Sequence, residues 1–124
     1  MSDDQQKRGM AVRREVLGEE YVNAAEARRS AFNTDFQDLL TRYAWGEIWT
    51  RPGLDRRTRS LLTIAMLVAL NRTEELELHL RASKNTGVSA DEVKELLLQA
   101  AVYCGVPAAN SAFRLANKIL FEDV

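Results

Sequence analysis

DRRTRSLLTIAMLVALNRTEELELHLRASKNTG, residues 55–87, contains the most apolar run of the chain and, just beyond that run, its only histidine. From Leu61 to Leu70 every residue except Thr63 is apolar. That run is too short to cross a bilayer, so it predicts a helix buried on nearly all sides. Asp55 stands where an N-cap belongs, its carboxylate able to accept from the free amides of the first turn. Asn71 and Arg72 interrupt the pattern, and Thr73 can cap a second helix that Gly87 closes. His79 falls in the middle of that second helix.

Upstream, DDQQKRGMAVRREVL reads as a polar helix capped by Ser2 and stopped by Gly18, with Met10, Val12, Val16 and Leu17 as a thin apolar stripe. Met10 has no obvious partner in so short a segment, so this arm is expected to pack on something beyond itself, such as another subunit. EEYVNAAEARRS is Ala-rich and helix-prone. Asn33 is placed to cap TDFQDLLTRYAWGEIW, where Phe36, Leu39, Leu40, Tyr43 and Ile48 recur at three- and four-residue spacing. Pro52 ends that helix and makes TRPGL a turn.

Downstream, Ser89 and Glu92 form a capping box for a helix carrying Val93, Leu96, Leu97, Ala100, Ala101 and Cys104 on one broad face. Gly105 ends it, and Pro107 suits the first turn of a last helix, AANSAFRLANKIL. No alternating pattern predicts a strand. The expectation is an all-α, single-domain bundle of six to seven helices, with residues 1–32 as a helical N-terminal arm and 33–124 as the core.

At 124 residues the chain is long enough to bury a modest core. A net charge of -1 with both signs interspersed gives no nucleic-acid footprint and no polybasic membrane patch. The N-terminus has no apolar signal region, and the lone Cys104 fits a reducing compartment, so a cytoplasmic protein is expected. With 46% hydrophobic residues, the chain carries more apolar surface than it can bury internally. Symmetry mates are expected to cover part of it, although single exposed apolar residues are also common.

His79 lies four residues after Glu75, one turn along the same face, so a carboxylate–imidazole hydrogen bond is open to it. Such a bond would favour a protonated ring that donates near neutral pH. Spacing alone equally admits a histidine packed beside Leu76 and Leu80. Glu77 and Arg81 read as a solvated surface pair. Arg51, Arg56, Arg57 and Arg59 crowd the entry to the apolar helix, either as an anion site at a helix N-terminus or as a solvated helix start. Trp45, Trp49 and Tyr103 can line a pocket or fill the core. No glycine-rich phosphate loop, HExxH or cysteine pair is present, which leaves a tightly held metal or dinucleotide without support.

FNTDFQDLLTRYAWGEIWTRPGL, together with TRSLLTIAMLVALNRTEELELHLRASKNTGVSADEVKELLLQAAVYCGVPAANSAF, closely resembles the carboxymuconolactone decarboxylase family. The likeness runs from about Lys7 to Leu120, and its most specific segments are WGEIWTRPGL, LHLRA and YCGVPAAN. It implies an all-helical fold of the alkylhydroperoxidase D type, a ring-like hexamer, and a carboxy-lyase with no metal or organic cofactor. The implied reaction converts 4-carboxymuconolactone, a dicarboxylate lactone, to the β-ketoadipate enol-lactone in protocatechuate catabolism. On this resemblance His79, Arg59 and Glu75 are the catalytic candidates, and Arg51, Glu47, Trp45, Trp49 and Tyr103 the substrate-binding ones.

The peroxidases of the wider superfamily use a Cys-x-x-Cys-x-x-x-His relay with a glutamate. Aligned on His79, the cysteine positions fall on Arg72 and Glu75, and the glutamate on or near Ser60. The thiol chemistry is therefore absent from the sequence. Two other expectations remain open at this level: a relative acting on another lactone or β-keto acid, and a non-catalytic oligomeric ligand-binding protein.

Overall fold

The computed structural model describes residues 2–122. Among them are seven α-helices and two π-helical segments, with no strand. In chain order these are α1 (Ser2–Leu17), α2 (Glu19–Ala27), α3 (Thr34–Leu40), π1 (Thr41–Ile48), α4 (Arg56–Ala69), α5 (Thr73–Thr86), α6 (Ala90–Tyr103), α7 (Val106–Asn117) and π2 (Lys118–Glu122). The all-helical expectation holds. The chain forms two compact units, Met1–Asp55 and Arg56–Val124.

In the first unit α1 packs along π1, which gives the N-terminal helix the partner its own sequence lacks. Val12, Val16 and Leu17 are buried as their stripe predicts. The Ser2 cap concerns a side chain outside the described residues. Gly18 stops α1 at φ 94°, a conformation that side-chain-bearing residues resist. Asn33 occupies the N-cap position of α3 but makes no cap bond. Its side chain instead accepts from Ser30 N–H at 2.9 Å and donates to the Arg28 carbonyl at 3.1 Å, closing the preceding turn. Arg29 ties α2 to α3 by bonding Glu26 at 2.6 Å and Asp38 at 2.9 Å, and both carboxylates raise its pKa.

The long helix expected from Thr34 to Trp49 changes character at Thr41. The Trp49 N–H donates to the Ala44 carbonyl five residues back, at 3.0 Å. Widening the turn rotates the side chains relative to an α-helix. Thr41, Trp45 and Gly46 are the buried positions of π1, while Phe36, Leu39, Tyr43 and Ile48 of the expected apolar stripe are exposed.

In the second unit α4 pairs with α5, α6 with α7, and α7 continues into π2. Ile64, Val68, Leu76, Leu80, Val93, Leu97 and Ile119 form its core. α4 begins at Arg56, directly after Asp55. It is not buried on nearly all sides: Leu62, Met66 and Leu70 are 42%, 58% and 65% exposed. Within its unit α4 meets α5, α6 and α7, which cover one side, so this second apolar stripe stays open.

α4 ends in a Schellman motif. Asn71 adopts φ 58°, its N–H donates to the Val68 carbonyl at 3.2 Å, and Arg72 N–H donates to the Leu67 carbonyl at 3.0 Å. That turn places Arg72, not Thr73, at the N-cap of α5, and no side chain caps it. Gly87, at φ 82°, closes α5 as expected, with Val88 N–H on the Ser83 carbonyl at 3.0 Å. The Ser89–Glu92 capping box is present in both directions, at 2.9 and 3.1 Å. Gly105 ends α6, and Pro107 sits in the first turn of α7.

Candidate active site

His79 comes from the middle of α5, between the core residues Leu76 and Leu80. His79 is half-buried there. Burial lowers its pKa from 6.5 to about 4, because removing water penalises the imidazolium. The protonated ring expected from a Glu75 hydrogen bond is therefore replaced by a neutral imidazole at neutral pH. Glu75 is exposed. A neutral imidazole still has one N–H to donate and one nitrogen to accept.

The four arginines at the entry to α4 do not share one environment. Arg57 is exposed and pairs with Glu92 of α6. Arg51 is exposed, and its backbone N–H donates to the Ile48 carbonyl at 3.0 Å. Arg56 and Arg59 are half-buried in the first turn of α4. Arg59 is followed by Ser60, which is fully buried. Ser60 Oγ meets Thr86 Oγ1 at 2.9 Å, and Thr86 Oγ1 also lies 3.1 Å from the Ser83 carbonyl. This hydroxyl chain fixes the start of α4, with Arg59, against the end of α5 in the unit that carries His79.

Trp45 and Trp49 stack with ring centroids 5.0 Å apart and planes tilted by 31°. Trp45 is buried, Trp49 is half-buried, and Glu47 faces solvent between them. Tyr103, at the end of α6, is 82% exposed. The structure thus brings the two tryptophans into contact and puts Glu75 one turn before His79 on one helix, while Tyr103 stands as a surface side chain. An apolar cavity of about 170 Å³ between α6, α7 and π2, lined by Leu97, Phe113, Leu120 and Phe121 among others, does not include His79.

One group of residues carries no recognisable motif. A Cβ on Gly9 would lie 2.2 Å from the Thr41 carbonyl oxygen, and one on Gly46 would lie 2.5 Å from the Gln5 carbonyl oxygen. Gln5 Nε2 donates to the Arg42 carbonyl at 2.9 Å. Arg13, 3% exposed, donates to Thr41 Oγ1 at 3.4 Å and Gln37 Oε1 at 3.2 Å, and burial lowers its pKa. The signal available in the sequence was the four-residue spacing of Gln5, Gly9 and Arg13 on α1.

No group of three or more metal-ligating side chains occurs among the described residues, and no helix among them is long and apolar enough to cross a membrane. Arg72 and Glu75, where the peroxidase relay would have cysteines, are exposed, as is Cys104.

Residues 34–118 match the carboxymuconolactone decarboxylase family model, across the boundary of the two units. The chain is 52% identical to a 4-carboxymuconolactone decarboxylase of Acinetobacter baylyi, over all of its own length and 92% of that protein's. It is 44% identical to a nitrosuccinic acid decarboxylase of Metarhizium robertsii, over 94% of this chain and 81% of that one. A 4-carboxymuconolactone decarboxylase of Pseudomonas putida is 44% identical over 32% of this chain.

Proposed function

Since the chain belongs to the carboxymuconolactone decarboxylase family, we propose that it decarboxylates 4-carboxymuconolactone to the β-ketoadipate enol-lactone, as a step of protocatechuate catabolism. The observation that carries this reading is 52% identity, across the whole chain, to a relative of that name.

The reaction asks little of a protein. The bond from the ring γ carbon to its carboxylate breaks, CO2 leaves, and the electron pair moves through the ring C=C into the lactone carbonyl. The resulting dienolate takes a proton at the α carbon, drawn from solvent through Glu75 and the His79 ring. The substrate is its own electron sink, so no cofactor is called for. Charge grows on the lactone oxygen, where preorganised donors have most effect. Arg59 supplies a fixed cation there. His79 supplies an N–H to that oxygen from a ring that burial keeps neutral.

Glu75, exposed one turn before His79, is assigned to relay a proton between solvent and the ring. Arg51 is assigned the acetate arm, since a guanidinium fork fixes orientation as well as charge. Glu47, four residues before Arg51, is assigned with it to substrate binding. Trp45 and Trp49 offer an apolar wall, and Tyr103 a phenolic hydroxyl.

The whole chain serves as one catalytic domain and assembles as a homo-oligomer, a hexamer on the family's pattern. Support comes from the apolar surface a single chain leaves open: Leu62, Met66 and Leu70 on α4, and Leu98, Val102 and Val106 around the α6–α7 turn. The cytoplasm, where a free exposed thiol such as Cys104 persists, is the proposed location.

A second reading rests on the nitrosuccinic acid decarboxylase relative: another acid whose own substituent accepts the electron pair. Offering each acid to the purified protein and following CO2 separates the two. Release of CO2 and enol-lactone from the lactone supports the first reading. Release from nitrosuccinic acid alone favours the second, and release from neither leaves an enzyme for another lactone or β-keto acid, or a non-catalytic ligand-binding protein.

A further inference from the structure

Eight residues of π-helix need something to hold them, because an i to i+5 turn is rare and generally survives as a single turn inside an α-helix. Gln5, Gly9 and Arg13, one turn apart in succession on α1, all meet π1. Gln5 adds a donor to the Arg42 carbonyl of the widened turn. Gly9, facing Thr41 and Gly46, lets the two backbones meet where any side chain would collide. Arg13 grips the transition itself, bonding Thr41 and Gln37 on either side of the point where α3 becomes π1. Thr41 Oγ1 lies 2.8 Å from the Gln37 carbonyl at that same point, a local bond that bends helices. At the other end Thr50 Oγ1 lies 2.8 Å from the Gly46 carbonyl.

Arg13 makes the arrangement hard to read as packing alone. Its guanidinium is nearly sealed from water, and no carboxylate forms an ion pair with it among the described residues. Burying a cation on neutral oxygens is unfavourable, and an apolar side chain of similar volume would fill the space at less cost. What the guanidinium contributes, and an apolar chain cannot, is a fork that ties two residues of the α3–π1 junction to one point of α1.

We propose that Gln5, Gly9 and Arg13 are positioning residues that hold residues 41–48 in the π register and so set the direction of Trp45, Glu47 and Trp49. This rests on the reading that the WGEIW segment meets the substrate. An α-helical relapse of the segment would turn those side chains away from their present bearing while leaving the helix count unchanged.

The chain has two tryptophans, and they are the stacked pair of this segment, so tryptophan circular dichroism reports on the segment alone. Gln5→Glu keeps shape and removes the donor. Arg13→Met keeps volume and removes the fork, and Arg13→Lys restores one donor to it. In Gln5→Glu and Arg13→Met, with far-ultraviolet helicity retained, the coupled tryptophan signal should collapse. KM should rise about tenfold while kcat stays within about threefold, and Arg13→Lys should recover part of both. An unchanged tryptophan signal in folded Gln5→Glu and Arg13→Met overturns the proposal, whatever the kinetics do. A collapsed signal with unaltered KM and kcat overturns instead the assignment of this segment to the substrate, and the positioning role with it.

Discussion

Thr86 Oγ1 lies 2.9 Å from Ser60 Oγ, a buried hydroxyl pair that joins the end of α5 to the start of α4. Thr86 has one hydroxyl proton and two acceptors in reach. The consistent assignment has Thr86 donating to the Ser83 carbonyl and Ser60 donating to Thr86. Thr86→Val keeps the shape but leaves the Ser60 hydroxyl buried with no acceptor, which should cost about 1–3 kcal/mol. Adding Ser60→Ala removes the stranded group. Urea titrations of the two singles and the double should show the double losing less than the sum of the singles, by about 1 kcal/mol.

His79 should make the fold acid-sensitive in a definite window. Its ring protonates at 6.5 when unfolded and at about 4 when folded. Between those values the unfolded chain binds more protons, so the stability carried by the neutral ring is complete above 6.5 and is lost as pH falls toward 4. The full difference is roughly 3 kcal/mol. Denaturation of wild type and His79→Gln at a series of pH values should show the variant's curve flatter there, since the carboxylates titrate alike in both.

The same residue should dominate turnover. His79→Ala is expected to lower kcat by about 10²-fold, the usual loss for a proton-transfer or oxyanion-donating group. Helicity and assembly should be unchanged. A folded variant with near-normal kcat would remove His79 from the reaction.

Arg51 and Arg59 should separate in kinetics. Arg51 is exposed and assigned to a group held alike in ground and transition states, so Arg51→Lys should raise KM with little change in kcat. Arg59, half-buried and next to the anchored Ser60, is assigned to charge that exists only in the transition state. Arg59→Lys should therefore lower kcat. Unchanged constants in both variants would return these arginines to the role of a solvated helix start.

Cys104 should be dispensable. It is exposed, so Cys104→Ala creates no cavity, and no second cysteine exists to resolve an oxidised one. Activity should persist in that variant and without reductant. Its abolition in a folded, assembled Cys104→Ala protein would restore thiol chemistry to consideration.

Most helix ends were legible in the sequence because one residue decides each of them locally. Gly18, Gly87 and Gly105 all take positive φ, and Ser89 with Glu92 satisfies two amides whatever packs nearby. Where a helix end depends on its neighbours, local chemistry misleads: Asn71 in the left-handed region shifts the α5 cap from Thr73 to Arg72, and Asn33 bonds backward to Arg28 and Ser30. The π register was illegible for the same reason. WGEIW reads as ordinary helix, and the contacts we propose to hold its widened turn come from α1, 24 to 37 residues earlier in the chain. His79 was findable as the lone histidine, but its protonation state belongs to the burial of its surroundings, which periodicity does not measure.

The open stripe of Leu62, Met66 and Leu70 ties the protein's durability to its own abundance. Each of these side chains left in water forgoes the stabilisation that burial would give it. If sister chains cover the stripe in the proposed assembly, mass action makes dilution a denaturant: the melting temperature should climb with the logarithm of protein concentration. A cell making too little of the chain would then lose it twice over, first as missing copies and again as lone, half-covered ones exposed to proteolysis.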